Sequence, residues 1–586
     1  MCLVWCFSPM QSLRDRYSVM DRLLGLIEGR KLSDRILLRV LFFVMIGSGL
    51  YYLISLNNSF TISTPTRGGT LVEGIVGIPR FVNPALALTR ADQDTVALIY
   101  SGLMKINPDG TLVPDIAEKI EISEDGTTYH VYVRKDRAFH DGTPLTARDV
   151  IFTYDLIRDP DLKSPLRGNW SEVTIESINE YEFTVTLQEP YTPFIENFAV
   201  GIMPSHIWSN LPIEQLPFSQ YNTEPVGSGP FMVNKVNRDA SGLISGYLLR
   251  QSPHNTEEPN LSAIELKFFQ NETDLSEALK KGDINATVFL PAENIKQLNP
   301  NDYNVINEPL PRVFAIFINQ NRSVPLRDKA ARRALSAAID RQAIIDAIFG
   351  GYGVPIDEPI VTAQRGVLLE DTVLEGATST PLTPTEILEA GGWKRSTAGS
   401  WEKKIGENTE TLAVTIKTGN SAPFETAATL IAENWRQLGV EVQVEQYEQT
   451  GLVQSVIRSR DFQALFFGID MNRLQDLYPF WHSSQKDDPG LNIAQYTNVS
   501  VDRLLETART SQDETEQTKT LAAISTIITD EVPAIFLFAP SITYVTDSDL
   551  TVASMKKLGR PADRFMNISN WYARTDTVWP IFQNKN

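Results

Sequence analysis

Residues 411–447 constrain the fold more than any other stretch. Leu412, Val414 and Ile416 alternate at period 2, and then Phe424, Ala427, Ala428, Ile431, Trp435 and Leu438 trace one helical face. Gly439 ends that face, after which Val440, Val442 and Val444 alternate again. Strand, helix and strand in so short a span predict a βαβ unit, with parallel pairing and a right-handed crossover. A similar unit is expected where AIELKFF, the helical DLSEALKK, a Gly282-Asp283 break and INATVFL follow one another. Two separate α/β units predict two lobes. Between them, residues 328–349 are expected to form one long helix, with Asp328 suiting its N-terminal dipole and Gly350-Gly351 closing it. In DGTTYHVYVR, Tyr129, Val131 and Val133 share one strand face, and His130, Tyr132 and Arg134 share the other, so that strand is half exposed or at a lobe edge. No sustained heptad and no repeat of solenoid length is present.

Composition narrows the function classes. With 42% hydrophobic and 21% charged residues, the 586-residue chain has ample core material and too few charges to be disordered. A formal charge of -19 argues against a phosphate-coating surface, so nucleic acid is excluded as a partner. The acidic balance is chiefly a solubility device and mildly favours amine-bearing ligands. Cys2 and Cys6 are the only cysteines, which leaves the body without disulfide or thiolate chemistry. The five histidines never approach metal-ligand spacing, and no cofactor is indicated. GxSxG, HExxH, GxxxxGK[ST] and a strand-to-helix GxGxxG are all absent. Gly227-Ser228-Gly229 in PVGSGPF reads as a tight loop rather than a nucleophile turn. No catalytic residue is expected.

Residues 40–56 (VLFFVMIGSGLYYLISL) carry no charge and as a helix reach roughly 25 Å, against a hydrocarbon core of about 30 Å. Arg30, Lys31, Arg35 and Arg39 precede them, so the positive-inside rule places residues 1–39 in the cytoplasm and everything after Leu56 outside. A cleaved signal peptide is the competing reading. No cysteine follows the run, which excludes a lipoprotein tether. Residues 57–69, rich in Ser and Thr and broken by Pro65 and a Gly pair, read as a flexible stalk.

The block DGTTYHVYVRKDRAFHDGTPLTARDVIFTYD, residues 125–155, closely resembles the signature of the family 5 extracellular solute-binding proteins, the dipeptide and oligopeptide receptors of ABC importers. GLMKINPDGTLVPDIAE, PVGSGPF, NQNRSVPLRDKAARRALSAAIDRQAII, FWHSSQ and ITDEVPAIFLFAP fall in the family's order. The resemblance implies an α/β, two-lobed, clamshell fold of the periplasmic-binding-protein kind, preceded here by one transmembrane helix. It implies a first lobe of residues 70–310 and 540–586, enlarged by a subdomain at about 110–220, a second lobe of 311–539, and hinge crossings near Pro311 and Pro540. The His140-Asp141-Gly142 block is then a structural turn leading into a helix at residues 147–154.

The implied function is capture of a short peptide in the interlobe cleft and delivery to a permease by a monomeric receptor. A peptide-sensing surface receptor, or an importer of a nickel complex or an oligosaccharide, are the alternatives. Family receptors hold a ligand's α-ammonium with a second-lobe carboxylate. In GIDMNRLQDLYPFWHSS the closest counterpart is Asp476, with Asp470 in reserve. Leu477 stands where the family often has Pro. Trp481 and Phe480 are candidates for the cleft floor, with core packing as the competing reading. Arg312 and Phe314 adjoin the expected hinge, where Arg312 would reach a ligand carboxylate.

Overall fold

The computed structural model describes residues 31–255, 258–361 and 382–578. Residues 1–30 of the expected cytoplasmic segment lie outside the described residues. The chain divides into two units, residues 1–66 with 575–586, and residues 67–574.

In the first unit one helix, Leu32–Phe60, extends the uncharged run at both ends. Its stretch Leu32–Asn57, of mean hydropathy 2.0 and with no part buried, is long and apolar enough to cross a membrane. The sequence downstream departs from a flexible stalk. Ile62–Pro65 is a strand paired antiparallel with Thr575–Val578, in register Ile62 to Val578. Thr575–Val578, expected within the first lobe, belongs instead to this clasp. Ser, Thr and Pro do not forbid extended structure, and a partner strand more than 500 positions away is not a local signal.

The second unit is organised by a sheet whose strands run in the order Glu441–Tyr447, Ala413–Gly419, Ala464–Asp470, Arg312–Ile318, Ala534–Asp547, Ala286–Val288, Thr70–Val76, Ala263–Phe269, Ile244–Gln251 and Phe231–Arg238. The 14-residue strand Ala534–Asp547 is shared by both halves. Its first part pairs with Arg312–Ile318, from Phe317 opposite Ala534 to Phe314 opposite Phe538. From Ser541 onward it pairs with Tyr303–Pro309. The partner changes at Pro540, which lacks an amide hydrogen to keep one ladder running.

The unit at residues 411–447 forms as the pattern predicts. Ala413–Gly419 and Glu441–Tyr447 pair in parallel, joined by the helix Ala422–Leu438, and Gly439 ends that helix at φ 94°. Its apolar face, with Ala427, Ala428, Ile431 and Trp435 at most 1% exposed, packs into one core with Leu335, Trp393 and Ile416. The second expected unit differs in one respect. Ala263–Phe269 and Ala286–Val288 do not pair with each other, because Thr70–Val76 lies between them and pairs in parallel with both. The helix expected over 328–349 is two helices, Lys329–Ala337 and Arg341–Phe349. The break has a local cause. Asp328 accepts from Ala331 N–H and Asp340 from Ala343 N–H, so each carboxylate caps its own helix.

Residues 117–187 contribute a four-stranded antiparallel sheet, ordered Ala117–Ile122, Thr128–Val133, Glu182–Leu187, Val173–Asn179, over a core of its own. Tyr129, Val131 and Val133 point into that core, where Trp170 stacks on Tyr154 at 3.9 Å. The FHDG turn is tied to PVGSGPF: Gly227 N–H donates to His140 Nδ1 at 3.2 Å and His140 Nε2 lies 3.0 Å from Gly229 O. That pattern fixes a neutral imidazole with its hydrogen on Nε2. Burial pushes its pKa down to about 4, against the hydrogen bond to Gly229. Gly227 is required there, since a Cβ would come within 2.1 Å of Ile99 O.

The C-terminal part of the second unit is held by a buried ionic cluster. Arg564 donates Nη1 and Nη2 to the two Asp94 oxygens at 2.9 and 2.8 Å, and Nη2 also reaches Glu73 Oε1 at 2.8 Å. Tyr544 donates its hydroxyl to Glu73 Oε2 at 2.7 Å. Four elements distant in sequence thus meet at one guanidinium. Removing one member of a buried ion cluster strands the others, at a typical cost of about 3 to 5 kcal/mol. Arg564→Ala is expected to lower stability by about that amount, measured by denaturant unfolding, whereas Arg333→Ala, which removes one member of an exposed pair with Asp530, is expected to cost under about 1 kcal/mol.

Candidate functional site

In open α/β sheets the ligand crevice lies beyond the carboxyl ends of the strands. Thr70–Val76 and Ala263–Phe269 run antiparallel in sense to Ala464–Asp470 and Ala413–Gly419, as the pairings through Ala534–Asp547 require. The carboxyl ends at Val76 and Phe269 therefore face those at Gly419 and Asp470. Chain segments that follow these ends are the candidate ligand-facing surface.

At one side of this crevice, Arg312 and Asp470 are direct cross-strand partners. Arg312 Nε donates to Asp470 Oδ1, and Nη2 donates to Oδ2 at 3.0 Å. Both side chains stay accessible, at 46% and 68% exposure. Phe314 follows on the same strand face, stacked on Phe538 at 4.9 Å. It lies across Gly468, where a Cβ would meet its ring at 2.7 Å. At the facing side, the turn after Thr70–Val76 is fixed by Asp92, which accepts from Arg80 and Phe81 N–H at 2.7 and 2.8 Å. Arg90 covers the Phe289 ring at 4.2 Å.

The remaining sequence candidates are spent on other contacts. Trp481 is fully buried among Phe317, Phe536 and Tyr496, and Phe480 is 9% exposed in the same core. Asp476 accepts from Tyr478 N–H at 3.0 Å and lies 3.5 Å from Arg509 Nε, with its side chain 7% exposed. Burial raises its carboxyl above the ordinary carboxylate value, against the pull of Arg509 and Tyr478 N–H.

Residues 471–478 lead from the candidate site to contacts with distant segments of the chain. Leu474 N–H donates to Glu196 Oε1 at 3.0 Å, and Arg473 lies 3.6 Å from Asp563. The Arg509 guanidinium sits between two rings, 4.4 Å from Tyr191 and 4.3 Å from Tyr478. Thr192 donates its hydroxyl to Ser511 O at 2.9 Å. A cavity of about 870 Å³ adjoins these contacts, lined among others by Tyr191, Glu196, Asn472, Glu506 and Arg509. No local motif announces pairs such as Leu474 with Glu196 and Thr192 with Ser511, whose members are 278 and 319 positions apart.

Residues 111–490 match the family of bacterial extracellular solute-binding proteins, family 5, in its middle region, which is more than half of the chain. The chain belongs to this family. Among its relatives in family 5, the oligopeptide-binding protein AppA of Bacillus subtilis (strain 168) is 28% identical over 493 residues, covering 81% of this chain and 87% of the relative. The solved structure of AppA from Bacillus subtilis with a nonapeptide aligns at TM-score 0.61 and 26% identity, over 87% of this chain and 99% of that one. The periplasmic murein tripeptide binding protein MppA, in its unliganded open form, aligns at TM-score 0.69 and 17% identity, over 88% of this chain and 98% of that one, a likeness of fold. This family 5 body accordingly has the two-lobed fold of periplasmic binding proteins.

The Glu196 contact carries a pH dependence. Desolvation pushes its carboxyl up from 4.5 to about 7, against Arg473 and the Leu474 N–H and with Asp563 adding to the rise. A carboxyl whose pKa is raised by the contact takes up a proton as the contact forms, so the contact is favoured below about 4.5 and weakens as pH rises through 7. Hydrogen exchange at Leu474, corrected for the intrinsic rate, is expected to quicken from pH 5 to pH 8. Glu196→Gln, which keeps the acceptor oxygen, is expected to flatten that profile.

Proposed function

We propose that this protein is the extracytoplasmic receptor of an ABC importer, held at the membrane by the helix Leu32–Phe60, and that it binds short peptides between its lobes without catalysing a reaction. Family membership, the peptide-binding relatives and the cleft at the strand ends support that reading. In it, residues 70–310 with 540–574 form the first lobe, residues 311–539 the second, and the chain crosses at Pro311 and Pro540. The change of strand partners at Pro540 supports these boundaries, as do the separate cores on either side. The receptor acts as a monomer and delivers its ligand to a permease, with no cofactor.

The observation that carries the ligand assignment is the exposed Arg312 and Asp470 pair. A zwitterionic peptide presents an ammonium and a carboxylate, and this pair offers one partner for each. Asp470, rather than Asp476, is the carboxylate proposed for the ammonium. Asp476 is already engaged by Arg509 and Tyr478 N–H, and a ligand would have to displace both, whereas Asp470 exchanges one solvated partner for another. Phe314 lies beside the pair as an apolar wall. Trp481 and Phe480 lie in the core on the other face of that strand, with Trp481 against Phe317.

Truncating one member of a desolvated charge pair typically costs about 2 to 5 kcal/mol. Asp470→Asn is therefore expected to weaken calorimetric binding of peptides with a free amino terminus by roughly thirty-fold or more. N-acetylated peptides are expected to bind the parent protein about as poorly. Equal affinity for free and acetylated peptides would sink the ammonium assignment, and binding of a nickel complex or an oligosaccharide in place of any peptide would sink the peptide reading.

A further inference from the structure

The contacts between the lobes and the candidate cleft report opposite degrees of cover. Asp470 and Arg312 are 68% and 46% exposed, and Asn420 and Ser421, just past the end of Ala413–Gly419, are exposed too. In the same arrangement Arg473 and Asp563 are 8% and 3% exposed, and Asp476 is 7% exposed behind Arg509. The lobe orientation that leaves the cleft ends open is thus the one that seals the Arg473 and Arg509 contacts. Their members stand on different lobes: Tyr191, Thr192, Glu196 and Asp563 on the first, Arg473, Leu474, Arg509 and Ser511 on the second. Rotation about Pro311 and Pro540 must move each set against the other.

We propose that Arg509, Tyr191 and Arg473 are positioning residues for ligand capture, forming a lateral brace that favours the uncovered cleft and that closure must release. The brace is built to be released. Across the proposed lobes Arg509 meets the face of the Tyr191 ring, at 4.4 Å, and no carboxylate of the other lobe. Stacking between Tyr191 and Tyr478 holds the guanidinium, an interaction that tolerates sliding better than a bidentate bond. A ligand that binds only the closed arrangement has its apparent affinity reduced by the fraction of molecules in that arrangement. Weakening the brace therefore raises affinity through residues outside the Arg312 and Asp470 site. This inference rests on the proposed capture by lobe closure, and it specifies what sets the threshold for closure.

The test uses the full chain in lipid nanodiscs, with Cys2→Ser and Cys6→Ser and spin labels at Ser241→Cys and Glu407→Cys, one exposed site in each proposed lobe. Arg509→Ala is expected to move the ligand-free distance distribution, and to tighten binding of trialanine by about five- to thirty-fold. A variant that merely damaged the fold would loosen binding, so a gain in affinity separates the brace from a structural role. Tyr191→Leu, on the other lobe, is expected to act alike, and the double variant to add little to either single one. It decides the matter should Arg509→Ala fail to fold. An unmoved ligand-free distribution in the folded variants, or weaker trialanine binding, would overturn the brace. If trialanine binds neither parent nor variants while the distribution moves, the peptide reading fails and the brace stands.

Discussion

The structure depends on one strand being too long for one lobe. Ala534–Asp547 spends its first residues completing the sheet of Arg312–Ile318 and its last ones completing that of Tyr303–Pro309, and every position but Asp547 is buried. A strand of that length cannot leave either sheet without exposing backbone donors and acceptors, so the two halves are held to a common axis. Freedom remains only where the ladder is interrupted. Pro540 supplies the interruption on this strand, and Leu310-Pro311 supplies it on the neighbouring crossing, where Leu310 N–H bonds Pro540 O. The two weak points are therefore side by side, which is the geometry a hinge needs.

That axis explains why so many of the buried charges lie away from the cleft. The carboxyl ends of the parallel strands face the gap, and Asp470, Arg312 and Asn420 there are exposed. Ionic groups that are fully dehydrated, Arg564 with Glu73 and Asp94, sit behind the first-lobe sheet, where they fasten the segment after Ala534–Asp547 to Thr70–Val76 and the helix Arg90–Ile99. Dehydrated charges resist rearrangement because any half-made state leaves an unpaired ion in a low dielectric. Rigid lobes with solvated edges can turn as bodies.

Local patterns were legible in the amino-acid order, and distant pairings were not. The helix Ala422–Leu438 could be read because its apolar face, its Gly439 stop and both flanking strands lie within one span. Residues 328–349 show where such reading fails: apolar spacing carries across Ala338–Asp340, but the Asp340 carboxylate offers the backbone a cap and starts a new helix. The insertion of Thr70–Val76 between Ala263–Phe269 and Ala286–Val288 leaves no trace in either strand. At the site the same limit applied. Alignment of the aromatic run pointed to Asp476, whose accessibility is set by Arg509, and left Asp470 second, whose partner Arg312 lies 158 positions away.

The two carboxylates illustrate what decides whether a charge in such a loop can serve a ligand. Nearness to the cleft is not enough, since six positions separate them. What differs is the state each leaves behind on exchange. Freeing Asp476 would strand Arg509 between two tyrosine rings and leave a carboxylate with its side chain 7% exposed, so any ligand ammonium would have to repay a dehydrated pair before gaining anything. Freeing Asp470 returns Arg312 to water at 46% exposure, where its hydration offsets most of the lost attraction. An ammonium that then becomes dehydrated as the lobes close gains the full strength of its new partner. The proposed capture by Asp470 rests on that difference in exposure, and burial behind Arg509 makes Asp476 part of the framework.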